Sequence, residues 1–156
     1  ETIPQKISQH RKKNENFVIP ENLDFLSIDI DSFDIFFIKE LNIIKPRLIC
    51  IEYNAKFPPP TKISIGQSQD FYWTYDDYFG SSLSFLVEEM EKKQYKLIST
   101  NISGSNAFFT KSDLYPLCKT NGQSIKNIYM PPNYNLYDYN VTHNPTNKFL
   151  INKLKK

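Results

Sequence analysis

The sequence predicts an α/β fold, and three observations point to it. The runs Phe25-Leu26-Ser27-Ile28-Asp29-Ile30 and Leu48-Ile49-Cys50-Ile51-Glu52-Tyr53 are apolar on both faces, as strands buried in a parallel sheet are. Between them Phe33, Phe36, Phe37, Leu41 and Ile44 recur at helical spacing. Strand, helix and strand within about 30 residues make a βαβ unit, whose crossover should be right-handed.

The elements follow in order. Residues 1–22 are a polar segment broken by Pro4 and Pro20, with one apolar run, Phe17-Val18-Ile19, suited to a strand or a docking segment. After the first strand, Asp31 or Ser32 suits the N-cap, and Asp34 favours the positive end of the helix dipole. Pro46 stops the helix by disfavouring helical geometry at Lys45. A long loop runs from Asn54 to Phe79, opening with Pro58-Pro59-Pro60 and closing on Phe71, Tyr72, Trp73, Tyr75, Tyr78 and Phe79. Loops of this length are usually lids, binding loops or disordered segments, and so many aromatics argue against disorder. Gly80-Ser81-Ser82 opens a second helix with Leu83, Leu86, Val87 and Met90 on one face; Glu88–Lys92 and Glu89–Lys93 are i,i+4 pairs on the other. Tyr95–Thr100 and Asn106–Thr110 read as an antiparallel hairpin around Gly104. The chain thus divides into the 1–22 segment, an α/β domain over 23–113, and a Tyr/Asn/Pro-rich tail over 114–156 that is expected to be irregular and packed by its tyrosines.

Composition narrows the classes of function. With 19 basic and 17 acidic residues and a net charge of +2, there is no electrostatic case for nucleic acid. Arg11-Lys12-Lys13 and Lys153, Lys155 and Lys156 read as solvated ends. No apolar run approaches the ~20 residues that span a bilayer, and no signal peptide opens the chain, so no membrane partner and a cytoplasmic location are expected. The chain begins at Glu1 and is expected to be a fragment or a processed product. Cys50 and Cys118 form no CxxC pair, and Cys50 reads as a small buried hydrophobe.

Ligands of open α/β sheets bind outside the carboxyl ends of the strands. The sequence places Asp29 and Asp31 there from the first strand, and Glu52 and Asn54 from the second, each i,i+2 pair on one face. An unpaired buried carboxylate costs several kcal/mol, so this cluster calls for water, a cation or hydrogen-bond donors. Simpler roles compete: Asp31 as a helix cap, Asn54 as a turn residue, Glu52 reaching solvent. Asp29, flanked by Ile28 and Ile30, is the hardest to explain without function. Trp73, Tyr78 and Asn106 are the candidate substrate contacts, although covering the core is the favoured use of the aromatics. His10 and His143 suggest no metal or nucleophile–base pair, no metal ligand is assigned, and four glycines make no phosphate-cradling loop.

Five segments in order carry a family resemblance: Leu-Ser-Ile-Asp-Ile-Asp (26–31), Arg-Leu-Ile-Cys-Ile-Glu-Tyr-Asn-Ala (47–55), Tyr-Phe-Gly-Ser-Ser-Leu (78–83), Tyr-Lys-Leu-Ile-Ser-Thr-Asn (95–101) and Ser-Gly-Ser-Asn-Ala-Phe-Phe (103–109). Over roughly residues 17 to 113 the chain resembles the C-terminal half of class I S-adenosylmethionine-dependent methyltransferases, close to the FkbM-like group. The resemblance implies a Rossmann-like, three-layer α/β/α fold in which these segments are the fourth to seventh strands, the hairpin forming the reversed edge. It implies O-methyl transfer to a small-molecule or glycan acceptor, with Asp29 and Asp31 facing the methyl donor or acceptor and Glu52 and Asn54 the acceptor. The family's glycine-rich loop and ribose-binding acid have no counterpart here, so the isolated chain is expected to be inactive. A divalent cation between the carboxylates, used by some O-methyltransferases, is disfavoured because Glu52-x-Asn54 matches only loosely.

Two other readings compete. Asp29-Ile30-Asp31 is formally the DxD motif with which nucleotide-sugar glycosyltransferases hold Mn²⁺ and a diphosphate. Alternatively, a non-catalytic half-fold would bind a partner or itself through an exposed sheet edge.

Overall fold

The computed structural model describes residues 20, 22–40, 42, 44–66, 75–136 and 148–155. It has α/β content built on one four-stranded sheet. The strands are β1 (Phe25–Ile28), β2 (Leu48–Glu52), β3 (Tyr95–Thr100) and β4 (Asn106–Lys111), in the spatial order β1-β2-β4-β3. β1 and β2 run parallel, in register from Phe25–Leu48 to Ile28–Ile51. The hairpin of β3 and β4 is antiparallel, but its second strand does not stay at the edge. β4 lies between β2 and β3, antiparallel to both, so β3 is the outer strand. The reason is burial, since this order sets Ala107 against Ile51 and Phe109 against Ile49, all four within the core.

Strand alternation sorts the sheet into two faces. Ile28, Ile49, Ile51, Leu97, Ala107 and Phe109 share one core with Ile35 and Ile38 of helix α1 (Asp34–Glu40) and Leu83, Leu86 and Met90 of α2 (Leu83–Lys92). The opposite face carries Phe25, Ser27, Leu48, Cys50 and Phe108; Cys50 is buried, but Phe25 is 51% exposed. Among the described residues β1 pairs only with β2, leaving its outer edge open.

Several boundaries differ from the sequence expectation. β1 ends at Ile28 rather than Ile30, because Asp31 and Ser32 take left-handed backbone (φ 50° and 82°) and turn the chain sharply. Neither therefore caps α1. Asp34, the first residue of α1, braces the turn instead, its Oδ1 accepting from Ile30 N at 3.4 Å. The helix stops at Glu40, ahead of Pro46. At α2, Ser82 is the N-cap: its Oγ accepts from Phe85 N and Ile63 N and donates to Thr61 O. Lys92 pairs with Glu88 as expected, whereas Glu89 pairs with Lys92 instead of Lys93, whose ammonium reaches Lys39 O and Asn42 Oδ1.

The tail is more regular than its sequence suggests. It contains a 3₁₀ turn (Tyr115–Leu117), the short helix α3 (Ile125–Ile128) and α4 (Lys148–Leu154). Residues 128–133 form a strap over the carboxyl end of β2. Tyr53 Oη donates to Met130 O, Tyr129 Oη to Ala55 O and Thr100 Oγ1 to Ile128 O, each at 2.6 Å, and Asn133 N donates to Ser103 O. No helix among the described residues is long and apolar enough to cross a membrane. Phe17-Val18-Ile19 and Phe71-Tyr72-Trp73 lie outside the described residues.

Candidate active site at the carboxyl ends of two parallel strands

Because β1 and β2 run parallel, their carboxyl ends open on the same side. One step beyond the Ile28–Ile51 pair, Asp29 stands level with Glu52, and Glu52 is paired across the sheet with Asn106 of β4. Three adjacent strands therefore present Asp29, Glu52 and Asn106 in a row. Asp31 follows in the left-handed turn, and the first residue of α1 returns Asp34 to the same crevice.

The charges in this crevice shape one another. The Glu52 carboxyl is pushed from its ordinary 4.5 up to about 7, first by burial and then by the negative charges of Asp34, Asp29 and Asp31. Asp34 is also raised, chiefly by burial; backbone hydrogen bonds oppose this, and Asp29 and Asp31 add to it. Asp34 is only 3% exposed, and no protein donor reaches its Oδ2. On the same face Cys50 has its thiol raised by burial, with a Ser27 hydrogen bond opposing and Asp29 adding. Among the described residues none of Asp29, Asp31, Asp34 or Glu52 joins an ion pair, whereas Asp24, Glu88, Glu89 and Glu91 all do. No three His, Cys, Asp or Glu side chains among the described residues are arranged to hold a metal ion.

The structure distributes the other candidates differently. Asp29 and Asp31 are exposed rather than embedded in a buried strand, since β1 has already ended. Asn54 is 1% exposed and its amide is committed to backbone: Nδ2 donates to Asp77 O and Phe79 O, both at 2.9 Å, and Oδ1 accepts from Lys56 N at 3.0 Å. Its bonding holds the loop that closes over the strand end and leaves no donor for an acceptor molecule. Tyr78 is engaged with the loop and α4, where its ring stacks on Phe149 at 4.3 Å and its Oη accepts from Gly66 N. Trp73 lies outside the described residues. Asp34 is the site residue that sequence reasoning assigned only to the helix dipole. The signal for it was the run Asp29-x-Asp31-x-x-Asp34, which brings a third carboxyl back over the strand end once a turn separates strand from helix.

A cleft of about 890 Å³ lies elsewhere, at the amino ends of β2 and β3. Among the described residues its lining includes Lys45, Lys92, Lys93 and Lys111 against a single acid, Asp113, so its chemistry is opposite to that of the crevice.

The raised Glu52 has a consequence for stability. The folded state holds the Glu52 proton more tightly than the unfolded chain, so between pH 4.5 and about 7 folding retains a proton that the unfolded state releases. Stability should therefore fall as pH rises through that window, and Asp34 acts in the same direction. Urea midpoints at both ends of the window should show the decline, and Glu52→Gln should flatten it. An unchanged slope in that variant would place the titration elsewhere.

No family model, curated protein or solved structure matches the chain.

Proposed function

We propose that this chain carries the acceptor side of an S-adenosylmethionine-dependent O-methyltransferase site, with Glu52 taking the acceptor's proton. The observation that carries the reading is Glu52 itself, a half-buried carboxyl at the mouth of two parallel strands, pushed up to about 7. A general base works best when its pKa lies near the working pH, because it is then ionised often enough to act and still holds a proton well. Asp29 and Asn106 flank it, suited to hold a hydroxyl-bearing acceptor in line. An open four-stranded sheet with parallel β1 and β2 supports the reading by placing both strand ends on one side.

The methyl donor supplies an electrophilic carbon on a cationic sulfonium, and an acidic crevice suits that charge. The nucleoside side is only weakly provided for. The four glycines stand at 66, 80, 104 and 122, none of them after a parallel strand, so the chain offers no glycine-rich loop for the donor. The roles assigned to this chain are therefore acceptor binding, orientation and proton removal. With an acceptor hydroxyl seated between Asp29 and Asn106, a Glu52 carboxylate oxygen would take its proton when a bound methyl donor, losing its methyl carbon and leaving as a neutral thioether, supplied the electrophile. Proton transfer of this kind contributes about 10²–10⁴-fold to rate.

Trp73 fluorescence provides the test. Titration with S-adenosylmethionine should give weak but saturable quenching, reduced by Asp29→Asn. Titration with a nucleotide sugar and Mn²⁺ should give none. Saturable, metal-dependent binding of the sugar nucleotide would overturn the assignment in favour of glycosyl transfer, and silence toward S-adenosylmethionine would count against it as well.

A further inference from the structure

The basic cleft at the amino ends of β2 and β3 encloses about 890 Å³, within the range of about 300–1,000 Å³ usual for small-molecule sites. Its floor is apolar, built from Ile38 of α1, Ile49 of β2 and Met90 of α2. Around it stand Lys45, Lys92, Lys93 and Lys111, and among the described residues Asp113 is the one acid in the lining. A cleft whose charges share one sign over low-dielectric walls focuses its field and gathers counter-ions. The lysines are accessible: Lys45 and Lys92 are exposed, and Lys93 and Lys111 are half-buried. Lys111 joins no ion pair among the described residues, whereas Lys92 shares its charge with Glu88 and Glu89. Lys93 is braced by Lys39 O and Asn42 Oδ1, and Asn42 also lines the cleft. Carbonyls at the end of α2 would repel an anion, but each already accepts a backbone N–H: Met90 O from Lys93, Glu91 O from Gln94 and Gln94 O from Ser112.

We propose that this cleft binds a small phosphomonoester, its terminal phosphate held by Lys111 with Lys93 and Lys45. The three lysines stand on separate elements, the end of β4, the cap of α2 and the segment ahead of β2. Each ammonium is a point charge on a flexible stem, with three N–H bonds that can turn toward an oxygen from any side. A terminal phosphate offers three acceptor oxygens and a charge of about −1.5 to −2 at neutral pH. A carboxylate carries one charge in one plane and suits the flat fork of arginine, which is absent from the lining among the described residues. The site lies at the opposite end of β2 from Glu52 and does not depend on the methyltransferase reading.

The test is calorimetric titration of the chain with phenyl phosphate and, separately, its uncharged counterpart phenol, at low ionic strength. Phenyl phosphate should bind saturably and more weakly as salt is added, and phenol should not bind. Lys111→Gln should weaken phenyl phosphate binding at least about tenfold. Asp113→Asn, which removes the acid from the lining, should tighten it. Lys126→Gln, exposed on α3 and outside the cleft, should leave it unchanged. Equal binding of phenol, no saturation with phenyl phosphate, an equal loss in Lys126→Gln, or weaker binding in Asp113→Asn would overturn the proposal. A phosphoserine peptide that bound more tightly than phenyl phosphate would overturn the small-molecule assignment and make the cleft a docking site for a modified protein.

Discussion

Replacing Asn54 with alanine is expected to destabilise the folded chain by about 3–5 kcal/mol, a large effect for one polar side chain. The amide is fully enclosed and makes three hydrogen bonds, to Asp77 O, Phe79 O and Lys56 N. Removing it takes one hydrogen bond each from Asp77 O, Phe79 O and Lys56 N, of which Asp77 O keeps Phe79 N at 3.3 Å, at roughly 1–3 kcal/mol for each bond that neither water nor a neighbour replaces. Asn54→Asp should be no milder, although it retains the acceptor for Lys56 N. It replaces the donating nitrogen with an oxygen aimed at two carbonyl oxygens. Urea unfolding at constant m-value measures both. A loss below about 1 kcal/mol in both variants would mean that the 77–79 loop is held by other contacts.

The second large effect is expected at Gly104, in the turn joining β3 to β4. Its φ is +70°, and a methyl group added there would stand 2.2 Å from Pro131 O and 2.6 Å from Pro131 C. Both atoms are backbone, so relief requires the 128–133 strap to lift away. Gly104→Ala should therefore disturb the Asn133 N–Ser103 O and Tyr53 Oη–Met130 O hydrogen bonds, on top of about 1–2 kcal/mol for an L side chain in the left-handed region. A total loss of about 2–4 kcal/mol is expected, with the amides of residues 128–133 exchanging faster than those of β2. Full stability together with unchanged exchange in the strap would contradict the close packing at this position.

Much of the fold could be read from local pattern, because the burial that makes β1, β2 and α2 is written in adjacent residues. Ile49 and Ile51 announce a buried strand, and Ser82 followed by Leu83 and Leu86 announces a capped helix. The position of β4 could not be read in this way. Which strand lies beside β2 is decided by how Ala107 and Phe109 fit Ile51 and Ile49, a pairing across more than fifty residues. The site divides along the same line. Asp29 and Glu52 stood out because each lies at the end of a recognisable apolar run. Asn54 looked equally available, but its role is set by Asp77 and Phe79, and nothing in its immediate neighbours signals that they return to it. Asp31 and Ser32 looked like helix caps because those residue types favour caps, and Asp also tolerates the left-handed turn that it adopts here.

The interior position of β4 also constrains the order in which the molecule can be built. Among the described residues β3 touches the sheet only through β4, so completing βαβ and then α2 and β3 leaves β2 with one such neighbour and β3 with none. A nascent chain emerging from the ribosome would hold Glu52 on a half-paired strand until Lys111 had been made, more than fifty residues later. Pairings of that sequence separation close slowly, and the unpaired strand is exposed to neighbouring chains in the interval. The geometry that seats Glu52 in the middle of the finished sheet thus makes its surroundings among the last parts of the protein to form.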